Sequence, residues 1–336
     1  MALNPRESAE YIVKNVKHVK IHYNNIEKLA QTVYKKIKEK IISVDNFSQH
    51  ELHPSDKDIH AIDWIFLIDT LNFCFWTPGN DTKWKVNGQT GYFALCAAIN
   101  RAIKEGVDIT NPKFYSKISE EELDKILRSD DGIIKVPLLE ARVNCLREVG
   151  LKLIEKYDGK FENCIKLCNN SAQKLLKLIV DEFPCFRDEA IYCGKQVSFY
   201  KRAQILIGDI WSCFRGKNYG EFNDIETITM FADYRVPQVL VHFGTLEYTE
   251  ELLNFLKTDK LLNAGDEREQ EIRGASIYIV EELKKNVWKL FEENGENIEK
   301  NIVNSILLDH FLWDYRRKNA KELEFIPFHK VLGIYY

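Results

Sequence analysis

Apolar side chains recur every three to four residues through most of this chain, and that spacing commits it to helices packed against one another. The clearest case runs from Asp266 to Glu293, where Ile272, Ala275, Ile279, Leu283, Val287 and Leu290 keep to one stripe. The same pattern predicts helices over about 7–20, 24–43, 161–182 and 198–215, and a last one over roughly 299–318. Start signals agree with the spacing. Ser119 followed by Glu122 reads as a capping box, and Pro137 opens an apolar-periodic run to about Tyr157. Thr249 with Glu250 and Glu251 puts acids where the helix dipole favours them. Strand signals are short: Phe73–Trp76, Lys83–Val86 ahead of Asn87-Gly88, and Val331–Tyr336. Residues 106–117 and 158–160 read as loops and not as domain boundaries, and no internal repeat or Pro/Ser-rich linker interrupts the pattern. The expected architecture is mainly α: a single helical domain over residues 1–336 with small β additions.

Composition narrows the function. Six Trp, 19 Phe and an apolar fraction of 45% can fill a sizeable core in 336 residues. Against 47 basic residues stand 51 acidic ones, a formal net charge of −4. A dedicated tRNA or DNA binder carries a basic surplus, because it must neutralise phosphates. The balance therefore points to a small-molecule substrate and no stable nucleic-acid binding. Eight Cys include no Cys-x-x-Cys pair, and Cys164 and Cys168 sit at helical spacing with no His at ligand distance. Reduced thiols serving as small core hydrophobes are the expectation. The polar start lacks an apolar signal-peptide core, and no run of 18 apolar residues occurs. A cytoplasmic protein without membrane contact is expected.

The familiar catalytic signatures are absent: no P-loop, G-x-G-x-x-G, G-x-S-x-G or H-E-x-x-H occurs. His18 and His22 have helical spacing but a basic neighbourhood and no Glu between them, which reads as a solvated face and not a metal site. Without a cofactor cradle, hydrolysis or binding is favoured over redox chemistry or phosphoryl transfer, with no cofactor and no metal.

Three segments combine apolar and ionisable residues. Trp64–Trp76 is almost wholly apolar yet carries Asp69 and Asn72. A carboxylate buried there must be hydrogen-bonded, either as a structural Asp holding backbone amides or Asn72, or as part of an aromatic pocket wall. In Phe231-Ala-Asp233-Tyr-Arg-Val-Pro237-Gln238, Pro237 suits the first turn of a helix and disfavours α geometry at Val236. Asp233 then lies on the turn into a helix over 237–243. It is a plain cap or the partner of Arg235, or else a rigid ionised carboxylate fit to stabilise a cationic transition state. In the third segment Ile302, Ile306, Asp309, Trp313 and Arg316 share one helix face. That face is a core stripe with a buried Asp–Arg pair, or a ligand wall on which Asp309 accepts hydrogen bonds and Trp313 stacks.

At these residues the sequence resembles the queuosine salvage family, the queuosine 5′-phosphate N-glycosylases. The matching strings include His53-Pro54, Trp64–Trp76, Gly91–Arg101, Ser198-Phe-Tyr-Lys-Arg-Ala-Gln204, Phe231–Gln238, Asp309-His-Phe-Leu-Trp313 and Pro327-Phe-His-Lys. The resemblance implies a fold like that of helix-hairpin-helix DNA glycosylases, with Asp233 facing the sugar. It also implies hydrolysis of queuosine 5′-monophosphate to queuine and ribose 5-phosphate, so that queuine re-enters tRNA. Such cleavage passes through an oxocarbenium-like state that an ionised Asp233 can stabilise, and no metal is required. Asp309 is expected to read the guanine-like edge, Phe231 or Trp313 to stack on the base, and Lys201 or Arg202 to meet the phosphate. Tyr234 and Arg235 fall within the catalytic string, and His53 is a further candidate for the pocket. Two rival readings are a glycosylase acting on a base within DNA or RNA, and a non-catalytic queuine carrier.

Overall fold

The computed structural model describes residues 2–79, 82–258, 260–300 and 302–336. Fifteen α-helices and three two-stranded antiparallel pairs are found among them, so the chain is mainly α with small β additions. No helix among the described residues is long and apolar enough to cross a membrane. Two compact units emerge. The first takes the chain to Val44, Asp188–Gln204 and Asp224–Leu332; the second takes Asp45–Arg187, Ile205–Asn223 and Gly333–Tyr336.

The first unit is organised on the helix Glu267–Glu293, whose N-cap Asp266 accepts a hydrogen bond from the Arg268 N–H. Ile272, Ala275, Ile279, Leu283 and Val287 are buried as the stripe predicts, while Leu290 is half-buried. The helices Pro5–Val13 and Tyr23–Lys38 pack against it. Gly274 lets Pro5–Val13 approach closely: a Cβ there would lie 2.7–2.9 Å from Ile12 side-chain atoms. Val236–His242 and Ser305–Lys318 pack on each other and on the long helix. The helix expected over 7–20 stops at Val13, and Val19–Ile21 instead pairs with Leu246–Tyr248. The last helix begins at Ser305, capped by Asn304, and not at about 299; residue 301 lies outside the described residues.

The second unit is built around Ala61–Leu71, Tyr92–Lys104 and Leu139–Lys156. The capping box forms as expected, with Ser119 and Glu122 bonding each other's backbone N–H. The run expected as one helix over 161–182 is two, Phe161–Leu167 and Ala172–Glu182. Asn169 and Asn170, both left-handed at φ 48° and 58°, break it. Lys85–Val86 and Gln89–Thr90 form the hairpin that Asn87-Gly88 announced. Phe73–Trp76 and Val331–Tyr336 are irregular backbone, not strands. Around Phe73 the reason is local: the Arg142 guanidinium takes up the carbonyls of Leu71, Phe73 (2.6 Å) and Cys74 (2.8 Å) that a ladder would otherwise use. Asn72 donates to Asp69 Oδ1 at 3.3 Å, the structural partnership expected of that buried pair. Seven of the eight cysteines are buried; Cys193 is exposed.

Candidate active site

Pro237 occupies the first turn of the helix Val236–His242, and Asp233 precedes that helix. The first N–H groups of a helix have no partner within it. Here Asp233 Oδ1 accepts two N–H groups at this start, from Arg235 at 2.9 Å and Val236 at 2.8 Å. The other carboxylate oxygen has no hydrogen bond among the described residues. One oxygen is therefore fixed by backbone while the second is available to a ligand. Burial pushes the Asp233 carboxyl above its ordinary value, and the Lys201 charge, the two N–H groups and Arg235 pull it back.

Asp309 lies on the helix Ser305–Lys318 and is buried. Its Oδ2 accepts the Phe231 N–H at 3.0 Å, two residues before Asp233, so the segment 231–233 links the two carboxylates. Burial first, and then the negative charge of Asp233, hold Asp309 well above the usual carboxylate range; the Phe231 N–H and Lys201 oppose this. The negative charge of Asp233 opposes ionisation of Asp309. Asp233, with two backbone donors, is the better anion, and Asp309 the better acid.

This pairing makes stability depend on pH. The folded-state pKa of Asp309 is raised above its unfolded value. Its contribution is therefore full below the unfolded carboxylate pKa and is lost as pH rises through the folded value. Asp309→Asn keeps an oxygen for the Phe231 N–H and removes the titration. Its Tm should exceed that of wild type by a margin that widens as pH climbs from about 4 to 8, by about 2–4 °C for each kcal/mol recovered. Melting curves across that range test it; a margin independent of pH would show that the folded-state pKa of Asp309 is not raised above its unfolded value.

Lys201 opens the helix Lys201–Cys213 directly after the hairpin Glu189–Tyr192/Lys195–Ser198, with Tyr200 in the left-handed region at φ 48°. Neither member of the basic pair is solvated: Lys201 is 6% exposed and Arg202 1%. Lys201 lies within electrostatic reach of both Asp233 and Asp309. Its N–H donates to Asp188 Oδ2 at 3.2 Å. Asp188 is also gripped by Arg273 at 3.0 and 2.5 Å, and Arg273 Nε donates to the carbonyl of Ala232 at 2.9 Å. Arg273 thus ties the start of the Lys201 helix to the residue before Asp233. Sequence reasoning missed it, although the Glu269–Arg273 i,i+4 pair, at 3.3 Å, was a readable sign.

The remaining candidates divide between the units. Phe231 is buried, with its ring 6.1 Å from that of His310. The Arg235 guanidinium lies over the rings of Tyr234 (5.1 Å) and Phe328 (4.7 Å). Trp313 is half-buried under Arg317, 5.0 Å away. All of these belong to the first unit. His53 belongs to the second, where its ring stacks on Phe47 and its nitrogens meet the Phe47 carbonyl (2.8 Å) and the Tyr92 hydroxyl (3.0 Å). The Asp309–Arg316 ion pair allowed by their shared helix face does not form.

The queuosine salvage protein family profile matches residues 52–336. The chain belongs to this family. It is 44% identical to a Mus musculus protein over 99% of both chains. It is 37% identical to one from Schizosaccharomyces pombe over 98% of this chain and 99% of that one. A bacterial relative from Sphaerobacter thermophilus is 35% identical over 85% of this chain and 84% of its own. All three are named queuosine 5′-phosphate N-glycosylase/hydrolase. Within this queuosine salvage chain, the buried carboxylates Asp233 and Asp309 and the cation Lys201 form the best-defined constellation in the first unit.

Proposed function

We propose that this chain is an N-glycosidase that hydrolyses queuosine 5′-monophosphate to queuine and ribose 5-phosphate. The observation that carries the reading is Asp233: a buried carboxylate with one oxygen pinned at a helix start, the other unbonded among the described residues, and a second, more readily protonated carboxyl beside it. In the reaction the bond from C1′ to the base nitrogen breaks, water supplies the hydroxyl to C1′, and its remaining proton goes to the base. As the bond lengthens, positive charge grows on the sugar, and a fixed anion stabilises that state more than the ground state. The unbonded oxygen of Asp233 supplies it. Asp309, whose Oδ1 has no partner among the described residues, faces the base edge. Phe231 and Trp313 offer it aromatic surface, and Lys201 keeps the carboxylate pair from being neutralised together.

The excess of acidic over basic residues supports a free mononucleotide as substrate and not a base held in DNA or RNA. We read residues 1–336 as one functional domain working in the cytoplasm. The test is incubation with queuosine 5′-monophosphate, monitoring free queuine and ribose 5-phosphate by mass spectrometry. Equimolar release at many turnovers is expected; tight binding with no released base would make the protein a carrier.

A further inference from the structure

The chain that leads into Asp233 has no regular structure to hold it. Residues 228–233 are all buried, yet none belongs to a helix or a strand. A buried backbone N–H or carbonyl must still find a partner, and here side chains supply it. Asp309 accepts the Phe231 N–H, and Arg273 donates to the Ala232 carbonyl. A third such side chain is Gln204, 1% exposed on the helix Lys201–Cys213. Its Oε1 accepts the Thr229 N–H at 2.9 Å. Its Nε2 donates to Thr229 Oγ1 at 2.9 Å and to the Phe199 carbonyl at 3.1 Å. The two ends of the amide cannot exchange, because a backbone N–H only donates and a carbonyl only accepts. The Gln204 N–H also donates to the Tyr200 carbonyl at 2.9 Å. Gln204 thus bonds the carbonyls of both Phe199 and Tyr200, and Tyr200 stands in left-handed backbone at φ 48° immediately before Lys201. An aromatic residue keeps such a conformation only where its surroundings fix it.

We propose that Gln204 is a positioning residue that fixes Lys201 relative to Asp233. The proposal rests on the glycosidase reading for the reaction it serves. Gln204 follows Lys201 by three residues, which puts the two on one side of the first turn of their helix. Thr229 precedes Asp233 by four residues along the buried stretch. A single amide therefore joins the two chain segments that carry the cation and the anion. The Lys201 charge acts on Asp233, and the strength of that action depends on their separation. The residue type matters too. Bonding an N–H, a hydroxyl and a carbonyl at once takes an acceptor and two donors on one planar group. An amide has them; a carboxylate, an ammonium or an alkyl chain does not. Among the described residues the Gln204 side chain bonds only residues 199 and 229, so it acts through its neighbours and not on the substrate.

The experiment compares steady-state hydrolysis of queuosine 5′-monophosphate, amide hydrogen exchange by mass spectrometry, and melting. The proteins are wild type, Gln204→Met, Gln204→Glu and Thr229→Val. Gln204→Met fills the volume but leaves the Thr229 N–H and the Phe199 carbonyl without their partner. Its kcat should fall about 10- to 100-fold, since small displacements of reacting groups cost that much, while KM changes by less than about twofold. Peptides covering residues 228–233 should exchange faster than in wild type. Gln204→Glu keeps an acceptor for the Thr229 N–H, should lose less activity, and stands in if Gln204→Met does not fold. Thr229→Val loses the hydroxyl but keeps the backbone N–H, so its kcat should hold even where its Tm falls. Wild-type kcat in a folded Gln204 variant overturns the proposal. So does a loss confined to KM, or a kcat that falls with Tm in Thr229→Val as it does in Gln204→Met. Wild type that releases no queuine sinks the glycosidase reading instead. Exchange at 228–233 then decides the clamp by itself: faster in the Gln204 variants supports it, and unchanged overturns it.

Discussion

Asp233→Asn is expected to cut turnover about a hundredfold or more while leaving the protein folded. The amide oxygen of Asn can still accept the N–H groups of Arg235 and Val236, so the helix start keeps its cap. The change falls on the second atom, where an NH₂ group replaces the unbonded oxygen and its charge. A positive sugar would then meet a donor in place of an anion. The loss should appear in kcat and kcat/KM alike, because the missing interaction belongs to the transition state and not to the bound substrate. Stability should hold or rise slightly, since burial already disfavours the charged form of Asp233. Steady-state rates and melting curves on the same preparation decide the matter. A well-folded Asn variant with near-normal hydrolysis would remove Asp233 from the chemistry.

The range of each interaction determined whether the sequence disclosed it. The turn at Asp233 was legible because its determinants lie within four residues: Pro237 sits in the first turn of the helix, and the carboxylate just before it accepts the N–H groups of Arg235 and Val236. The shared face of Asp309, Trp313 and Arg316 was legible for the same reason, as a matter of helical period. The sequence could not show that Asp309 bonds the N–H of Phe231, 78 residues away, or that Arg316 lacks a carboxylate partner. The strand at Val19–Ile21 was absorbed into a helical pattern because its partner, Leu246–Tyr248, lies more than 200 residues on. Phe73–Trp76 has strand composition, but Arg142 claims its carbonyls from 69 and 68 residues away. The break at Asn169-Asn170 was readable: consecutive Asn residues tolerate left-handed backbone, and Ser171 caps the helix that begins at Ala172. There the apolar period outweighed the better local signal.

Arg273→Leu should be the most damaging substitution outside the carboxylate pair, and it separates support from chemistry. The Arg273 side chain is 2% exposed and its guanidinium lies 4.2 Å from the centre of the Phe199 ring. Removing it leaves Asp188 and Glu269 buried without their cation, a loss of about 3–5 kcal/mol. At about 2–4 °C for each kcal/mol, Tm should fall by roughly 6–20 °C. The carbonyl of Ala232 loses its donor, and Asp188 is no longer steadied where it holds the first N–H of the Lys201 helix. Asp233 and Lys201 should therefore wander together, and kcat should drop in whatever fraction stays folded. Adding Asp188→Asn and Glu269→Gln to Arg273→Leu removes the orphaned charges and should restore much of the lost Tm. It should not restore kcat, because no neutral side chain in the triple variant fixes the Ala232 carbonyl. If turnover returns in step with Tm, Arg273 serves the fold alone; if Tm returns and kcat stays low, it positions the reacting carboxylate.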